Sequence, residues 1–166
     1  IAQEKGGARG WRNAFANGGI PALLALFGLL SQEPAHTAYL IAYAAAVATA
    51  AADTCSSEIG KAYGKRTFLI TTFRPVPAGT EGAVSVEGTL GGLFGAAFIA
   101  SLGVLTGLFH AEGALVVTLA GFLGALAESV IGTVAEKRGW LENHGLNALN
   151  TAIGAAIATG IGLLLR

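Results

Sequence analysis

Residues 38–61 read AYLIAYAAAVATAAADTCSSEIGK. The run from Ala38 to Ala52 is small and apolar, as in a segment that lives in lipid, and it ends abruptly in Asp53, Glu58, two serines and Lys61. Carboxylates at the end of such a run are costly unless something uses them. Whether the run is a membrane span decides the fold.

Composition answers first. Of 166 residues, 53% are hydrophobic and 12% charged, with 25 glycines. A soluble domain is typically about a quarter charged. Glycine and alanine at this density suit transmembrane helices whose backbones approach closely. The formal net charge of zero gives no reason to expect nucleic acid, and the single Cys55 excludes an internal disulfide. No Cys/His pattern suggests zinc. Methionine is absent even at position 1, so the chain is expected to start inside a longer or processed protein.

Outward from 38–61 lie further hydrophobic stretches. They are roughly Ala14–Leu30, Ala35–Ala52, Ala83–Phe109, Gly113–Val134 and Leu146–Leu165. A span needs about 20 residues; the last four qualify, and the first, interrupted by Asn17-Gly18-Gly19 and Pro21, is marginal. Without period-2 alternation a β-barrel is not expected. The expected class is all-α: a polytopic helical membrane protein with about five transmembrane helices in one domain, residues 1–166.

Basic residues fall on alternate connections. Nine of the ten lie before the first stretch, between the second and third, or after the fourth, and only Arg166 lies on the other side. The positive-inside rule makes the basic side cytoplasmic. Asp53, Glu58, Glu87 and Glu128 gather there, as do Asn13, Asn17, Asn143, Asn147 and Asn150. A chemical site would therefore face the cytoplasm, reached by a soluble reactant from one side and a lipid from the other.

Carboxylates beside Lys and Arg make sense around a phosphate with Mg²⁺, which takes a few carboxylate oxygens and shares the rest with substrate phosphates. Asp53 and Glu58 lie about 140° apart on an ideal helix, so they share one face only if the helix ends or unwinds between them, which Cys-Ser-Ser permits. Residues 77–92, PAGTEGAVSVEGTLGG, set Gly79, Thr80, Ser85 and Thr89 where a helix begins. Backbone N–H groups and hydroxyls there could cradle an anion. No Walker A loop is present: GKAYGKRT at 60–67 has the wrong spacing. Plainer readings stand beside these. Asp53 and Glu58 fit helix ends at the headgroup layer, Glu87 fits a surface residue at a helix start, and the glycines fit helix packing. Lys61, Lys65 and Arg66 fit anchors to anionic lipid, and Cys55, His110 and His144 fit incidental positions.

Five ordered motifs carry a resemblance: KGGARGWRNAFANGG (5–19), ADTCSSEIGK (52–61), PAGTEGAVSVEGTLGG (77–92), ESVIG (128–132) and NHGLNALN (143–150). Together they resemble the integral-membrane family that includes transmembrane protein 19 and the phytyl-phosphate kinases. Two departures stand out: Glu128-Ser129 where the family usually has Asp-Ser, and Asn13 or Ala14 where it usually has glutamine. The resemblance implies phosphorylation of an isoprenyl monophosphate to the diphosphate, with a nucleoside triphosphate, CTP foremost, as donor. On that reading Asp53, Glu58 and Glu128 hold Mg²⁺, and these three with Lys61 form the catalytic set. Arg9, Lys61 and Arg74 neutralise phosphates, which Gly79, Thr80, Ser85 and Thr89 cradle. Asn17, Asn143 and Asn147 orient the nucleotide or the acceptor. Three alternatives stay open: a prenol kinase acting on the free alcohol with Asp53 as base, a small-molecule transporter, and a structural membrane scaffold that binds no nucleotide. The small-residue faces also suit a homodimer.

Overall fold

The computed structural model describes residues 10–80, 82–138 and 143–164. Five helices dominate it: α1 (Trp11–Leu30), α2 (Ala35–Tyr63), α3 (Val86–Leu105), α4 (Ala111–Arg138) and α5 (Asn143–Leu164). All five include a segment long and apolar enough to cross a membrane. The first stretch, marginal on its sequence, forms a continuous 20-residue helix with Pro21 inside it. Their outer faces carry exposed Leu29, Leu30, Phe94, Phe98, Leu105 and Leu164. Such an apolar exterior suits lipid rather than water.

At the centre stands α2, which packs against each of the other four helices. Its alanines permit this: Ala45, Ala46, Ala48 and Ala52 are wholly buried. The partners answer with glycine. A Cβ on Gly88 of α3 would come 2.7 Å from the Ser56 carbonyl oxygen, and one on Gly121 of α4 would come 2.7 Å from the Ala48 Cβ. On α3 the two interleaved pairs Gly88/Gly92 and Gly91/Gly95 all face α2 in this way. Small residues four apart let helix backbones touch. The plain reading of this part of the glycine-rich stretch, helix packing, is the one the structure bears out.

One expectation is overturned. The α2 helix neither ends nor unwinds after Asp53; it runs unbroken through DTCSSEIG to Tyr63. The serines do not break it because Ser56 Oγ donates to the Asp53 carbonyl oxygen at 2.9 Å, satisfying its hydroxyl within the helix. Termination comes at Gly64, whose N–H donates to the Gly60 carbonyl oxygen at 3.0 Å, with Lys61 in the last turn complementing the helix dipole.

The link from α2 to α3 contains strand structure that the hydrophobic pattern does not suggest. Phe68–Leu69 (β1) pairs antiparallel with Ala83–Val84 (β2), Phe68 opposite Val84. Phe68 and Phe73 stack at 5.7 Å between ring centroids. Gly82, at φ +72°, lets the link press onto α4, since a Cβ there would lie 2.8 Å from the Ser129 carbonyl oxygen. Ser85 then caps α3, its Oγ accepting from the Gly88 N–H at 3.1 Å.

Candidate functional site

A cavity of about 1040 Å³ opens at one end of the bundle. It is lined by the starts of α1, α3 and α5, the ends of α2 and α4, and the link carrying β1 and β2. Alternating helix directions bring these ends together, and Arg12 at the start of α1 and Lys61 at the end of α2 lie at this end.

The cavity collects most of the residues singled out by sequence. Asp53, Glu58, Lys61, Glu128, Asn17, Gly79, Thr80, Ser85, Thr89 and Asn147 all line it. Asp53 and Glu58 both reach it although the helix is intact. The lining positions of α2 run from Ser56 and Gly60 through Asp53 and Ser57 to Glu58, an arc of about 200° at 100° per residue. The cavity wraps around the end of the helix, so no unwinding is needed.

Other candidates fall elsewhere. Arg74 is exposed in the turn between β1 and β2 and does not line the cavity. Glu87 also stays out; it sits in the first turn of α3, where a carboxylate complements the helix dipole. Arg9 lies outside the described residues, and Asn143 opens α5 without a described side chain. Two members of the proposed anion cradle have local work: Ser85 Oγ caps α3, and Thr80 Oγ1 donates to the Pro77 carbonyl oxygen at 2.8 Å.

Charge within the cavity is unevenly placed. Lys61 Nζ and Glu58 Oε1 are 3.4 Å apart in a half-exposed pair. Glu128 is buried, at 7% exposure, on α4. Among the described residues no three Asp, Glu, His or Cys side chains converge as a preformed metal cage. The carboxylates therefore fit Mg²⁺ only in its usual substrate-bound manner, one or two of them completing a shell made largely of phosphate and water oxygens. Deeper in, the wall turns apolar at Phe122, Ala125 and Leu126. Phe122 precedes Glu128 by six residues on α4, roughly 9 Å further into the bundle at 1.5 Å per residue.

Several lining residues have no site role assigned from sequence: Asn13, placed only at the same end, His144, read as incidental, and Trp11, Arg12, Ser57, Thr67 and Ser129. A signal existed for Asn13, which stands four residues before Asn17 and so on the same helix face. Asn17 Nδ2 donates to the Asn13 carbonyl oxygen at 3.1 Å and to Asn13 Oδ1 at 2.7 Å. No comparable spacing marks Trp11 or Thr67, which tertiary folding brings in.

Fold and cavity together define a polytopic helical membrane protein with a polar site at one end of its bundle. Residues 1–155 match the family described as Integral membrane protein DUF92, and the chain belongs to that family. It is 48% identical to the uncharacterized membrane protein sll0875 of Synechocystis sp. over 97% of this chain and 63% of that protein. To the protein VTE6, chloroplastic, of Arabidopsis thaliana it is 39% identical over 95% of this chain and 49% of that protein. The uncharacterized membrane protein MJ0933 of Methanocaldococcus jannaschii is also 39% identical, over 90% of this chain and 60% of that protein. The chain thus spans about half to under two thirds of these relatives' lengths. No solved structure matches it.

Proposed function

We propose that the chain carries the active site of a kinase that phosphorylates an isoprenyl monophosphate to the diphosphate from a nucleoside triphosphate, with CTP as the first candidate donor. The observation that carries this reading is the cavity's two-part lining. Carboxylates, a lysine and hydroxyls stand at the bundle end, and Phe122, Ala125 and Leu126 stand deeper. A phosphate on an apolar chain needs both. The motif resemblance to a family containing phytyl-phosphate kinases supports the choice of substrate.

The chemistry asks little of a base. The second pKa of a phosphomonoester is near 6, so near neutral pH the acceptor is already largely a dianion. One of its oxygens attacks the γ-phosphorus in line. A new P–O bond forms, the bond to the β–γ bridging oxygen breaks, and the nucleoside diphosphate leaves with that electron pair. The obstacle is repulsion between two anions, overcome by fixed cations and positioning. Lys61 and Arg12 supply positive charge from the lining, with Arg9 as a further candidate. Ser57, Thr89 and the backbone at Gly79 hold phosphate oxygens. Asp53 and Glu128, with Glu58 nearby, would hold Mg²⁺, which when bound would supply positive charge against the phosphates. The cavity end faces the cytoplasm on this reading, because the described basic residues at the start of α1 and the end of α2, Arg12 and Lys61, lie at it and the sequence puts nine of ten basic residues on that side.

A cavity at one end of the bundle, rather than at its midplane, favours an enzyme over the transporter alternative. The deciding experiment offers labelled γ-phosphate nucleotide and Mg²⁺ to the full-length protein, with phytyl or geranylgeranyl monophosphate beside the free alcohols. Labelled diphosphate from the monophosphate is expected. Product from the alcohol alone would make Asp53 the base of a prenol kinase, and transfer to neither would refute the kinase reading.

A further inference from the structure

Three asparagines at the α1–α5 side of the cavity form one network whose orientation can be deduced. Asn17 Nδ2 meets the backbone carbonyl oxygen of Asn13 at 3.1 Å. A carbonyl only accepts, so the Asn17 atom there must be its nitrogen. The same nitrogen lies 2.7 Å from the Asn13 side chain, so the Asn13 atom it meets must be the oxygen. Asn147 in turn meets that oxygen at 3.1 Å and must donate. Among the described residues no hydrogen bond then uses the Asn13 amide nitrogen or the side-chain oxygens of Asn17 and Asn147. A cavity-lining edge results with paired donors on Asn13 and acceptors on its two neighbours. Beside it stands Trp11, which lines the cavity while 75% exposed, with the Arg12 guanidinium 5.7 Å from its ring centroid.

We infer that this corner binds the nucleoside end of the phosphoryl donor, the asparagines reading the hydrogen-bonding edge of the base and Trp11 offering a stacking surface. The inference rests on the kinase reading and deepens it. Of the two reactants, an isoprenyl phosphate dianion brings no N–H or O–H, so it cannot satisfy the Asn17 and Asn147 oxygens. A nucleoside brings both donors and acceptors. Asparagine amides are suited to base edges, here with one point each from the Asn13 nitrogen and the Asn17 and Asn147 oxygens, and bases stack on aromatic rings whatever their identity. The carboxylates and Lys61 occupy the α2–α4 part of the same cavity, which leaves the phosphates directed toward them.

The test is isothermal titration of the full-length protein in lipid nanodiscs with Mg²⁺ and nucleoside triphosphates of cytosine, uracil, adenine and guanine, each also as its 2′-deoxy form. Asn13→Asp and Asn147→Asp both keep the side-chain shape: the first turns the outward donor into an acceptor, and the second keeps its outward acceptor but loses the donor that orients Asn13. They are expected to weaken binding about tenfold, the loss of roughly one hydrogen bond, and to reorder the bases. Trp11→Ala, at an exposed position, is expected to weaken all bases by a similar factor without reordering them. The 2′-deoxy forms should follow their parents throughout. Wild-type affinity and base order in both aspartate variants would overturn the inference and leave a purely structural network. A ribose preference erased by Asn13→Asp would reassign the edge to the sugar and overturn base reading. Absence of nucleotide binding by the unaltered protein would refute the kinase reading as well, so the two failures are distinguishable. Should Asn13→Asp fail to fold, Asn147→Asp and Trp11→Ala still decide.

Discussion

Asn147 Nδ2 donates to Asn13 Oδ1 at 3.1 Å, joining residues 134 positions apart and tying the start of α1 to the start of α5. At its other end α1 is tied to α2 by His36 Nδ1, 2.8 Å from the Gly28 carbonyl oxygen, and by the Phe27 and Tyr39 rings, 5.8 Å apart, with small-residue packing such as buried Ala16 and Gly28 along it. Replacing Asn147 by Ala removes one of the two donors to Asn13 Oδ1. A net hydrogen bond is worth about 1 kcal/mol, and the loss should concentrate on residues 11–17. Amide hydrogen exchange is expected to quicken there by roughly fivefold, while the rates along buried α2 stay unchanged. Uniform acceleration across the bundle would contradict this local role.

The three cavity carboxylates and Glu87 separate a working site from a charged membrane surface. Asp53→Asn and Glu128→Gln are expected to lower phosphoryl transfer by about 100-fold or more, the scale seen when one electrostatic contributor to a transition state is removed. Glu87→Gln, which alters a carboxylate in the first turn of α3 outside the cavity, should leave the rate within about twofold and cost at most a few tenths of a kcal/mol. Turnover assays on the three variants check this. Equal effects from all three would mean that the carboxylates act as general surface charge.

Lys61 invites a contrast between stability and activity. Its ion pair with Glu58 spans 3.4 Å with both side chains partly exposed, and such pairs contribute about 0–1 kcal/mol. Lys61→Met should shift the unfolding midpoint by no more than a few degrees yet raise the nucleotide KM about tenfold, with the effect fading at high salt. Thermal unfolding and kinetics at two ionic strengths test both halves. A large fall in stability with unchanged KM would assign Lys61 to structure.

What sequence discloses here divides along physical lines. Spans are legible because lipid imposes length and hydropathy on every one of them. The gathering of Asp53, Glu58 and Glu128 at one end follows from helix alternation, since basic residues label the ends. The pair α2 and α3 is legible in part: glycines at 88, 91, 92 and 95 mark a close face, but their use for packing rather than anion binding depends on what lies opposite. The cavity's wrap around the end of α2 is not legible, because a helical wheel gives the angle between Asp53 and Glu58 and says nothing of the space around it. Nor is the capture of Trp11, Thr67 and His144, residues far apart in sequence whose meeting depends on helix tilt and loop course.

The α2–α3 contact can be tested through one atom. A Cβ on Gly88 would sit 2.7 Å from the Ser56 carbonyl oxygen and 3.1 Å from Gly60 Cα, both backbone atoms that cannot swing aside. Gly88→Ala should therefore cost about 1–3 kcal/mol, the usual range for overpacking, despite alanine's better helix propensity. Gly162→Ala, on α5 with open space around it, is the matched control and should be neutral or slightly stabilising. Unfolding midpoints in one detergent compare the two; equal midpoints would refute close packing of α3 on α2.

Phe122 carries the last test, because it stands where the cavity's lining changes from polar to apolar. It lies roughly 9 Å from the Glu128 level along α4, about the reach of the first isoprene units beyond a phosphate held at the carboxylates. Enlarging it to Trp should shorten the apolar end and raise the KM for a C20 acceptor phosphate several-fold, while a C5 or C10 acceptor is little affected. Shrinking it to Ala should remove that discrimination, at a stability cost moderated by its partial exposure. The nucleotide KM should not move in either variant, since the donor occupies the polar end. Kinetics with acceptors of graded chain length read this directly. A nucleotide KM that rises with Phe122→Trp while all acceptors stay equal would place the donor, rather than the isoprenyl chain, against the apolar wall.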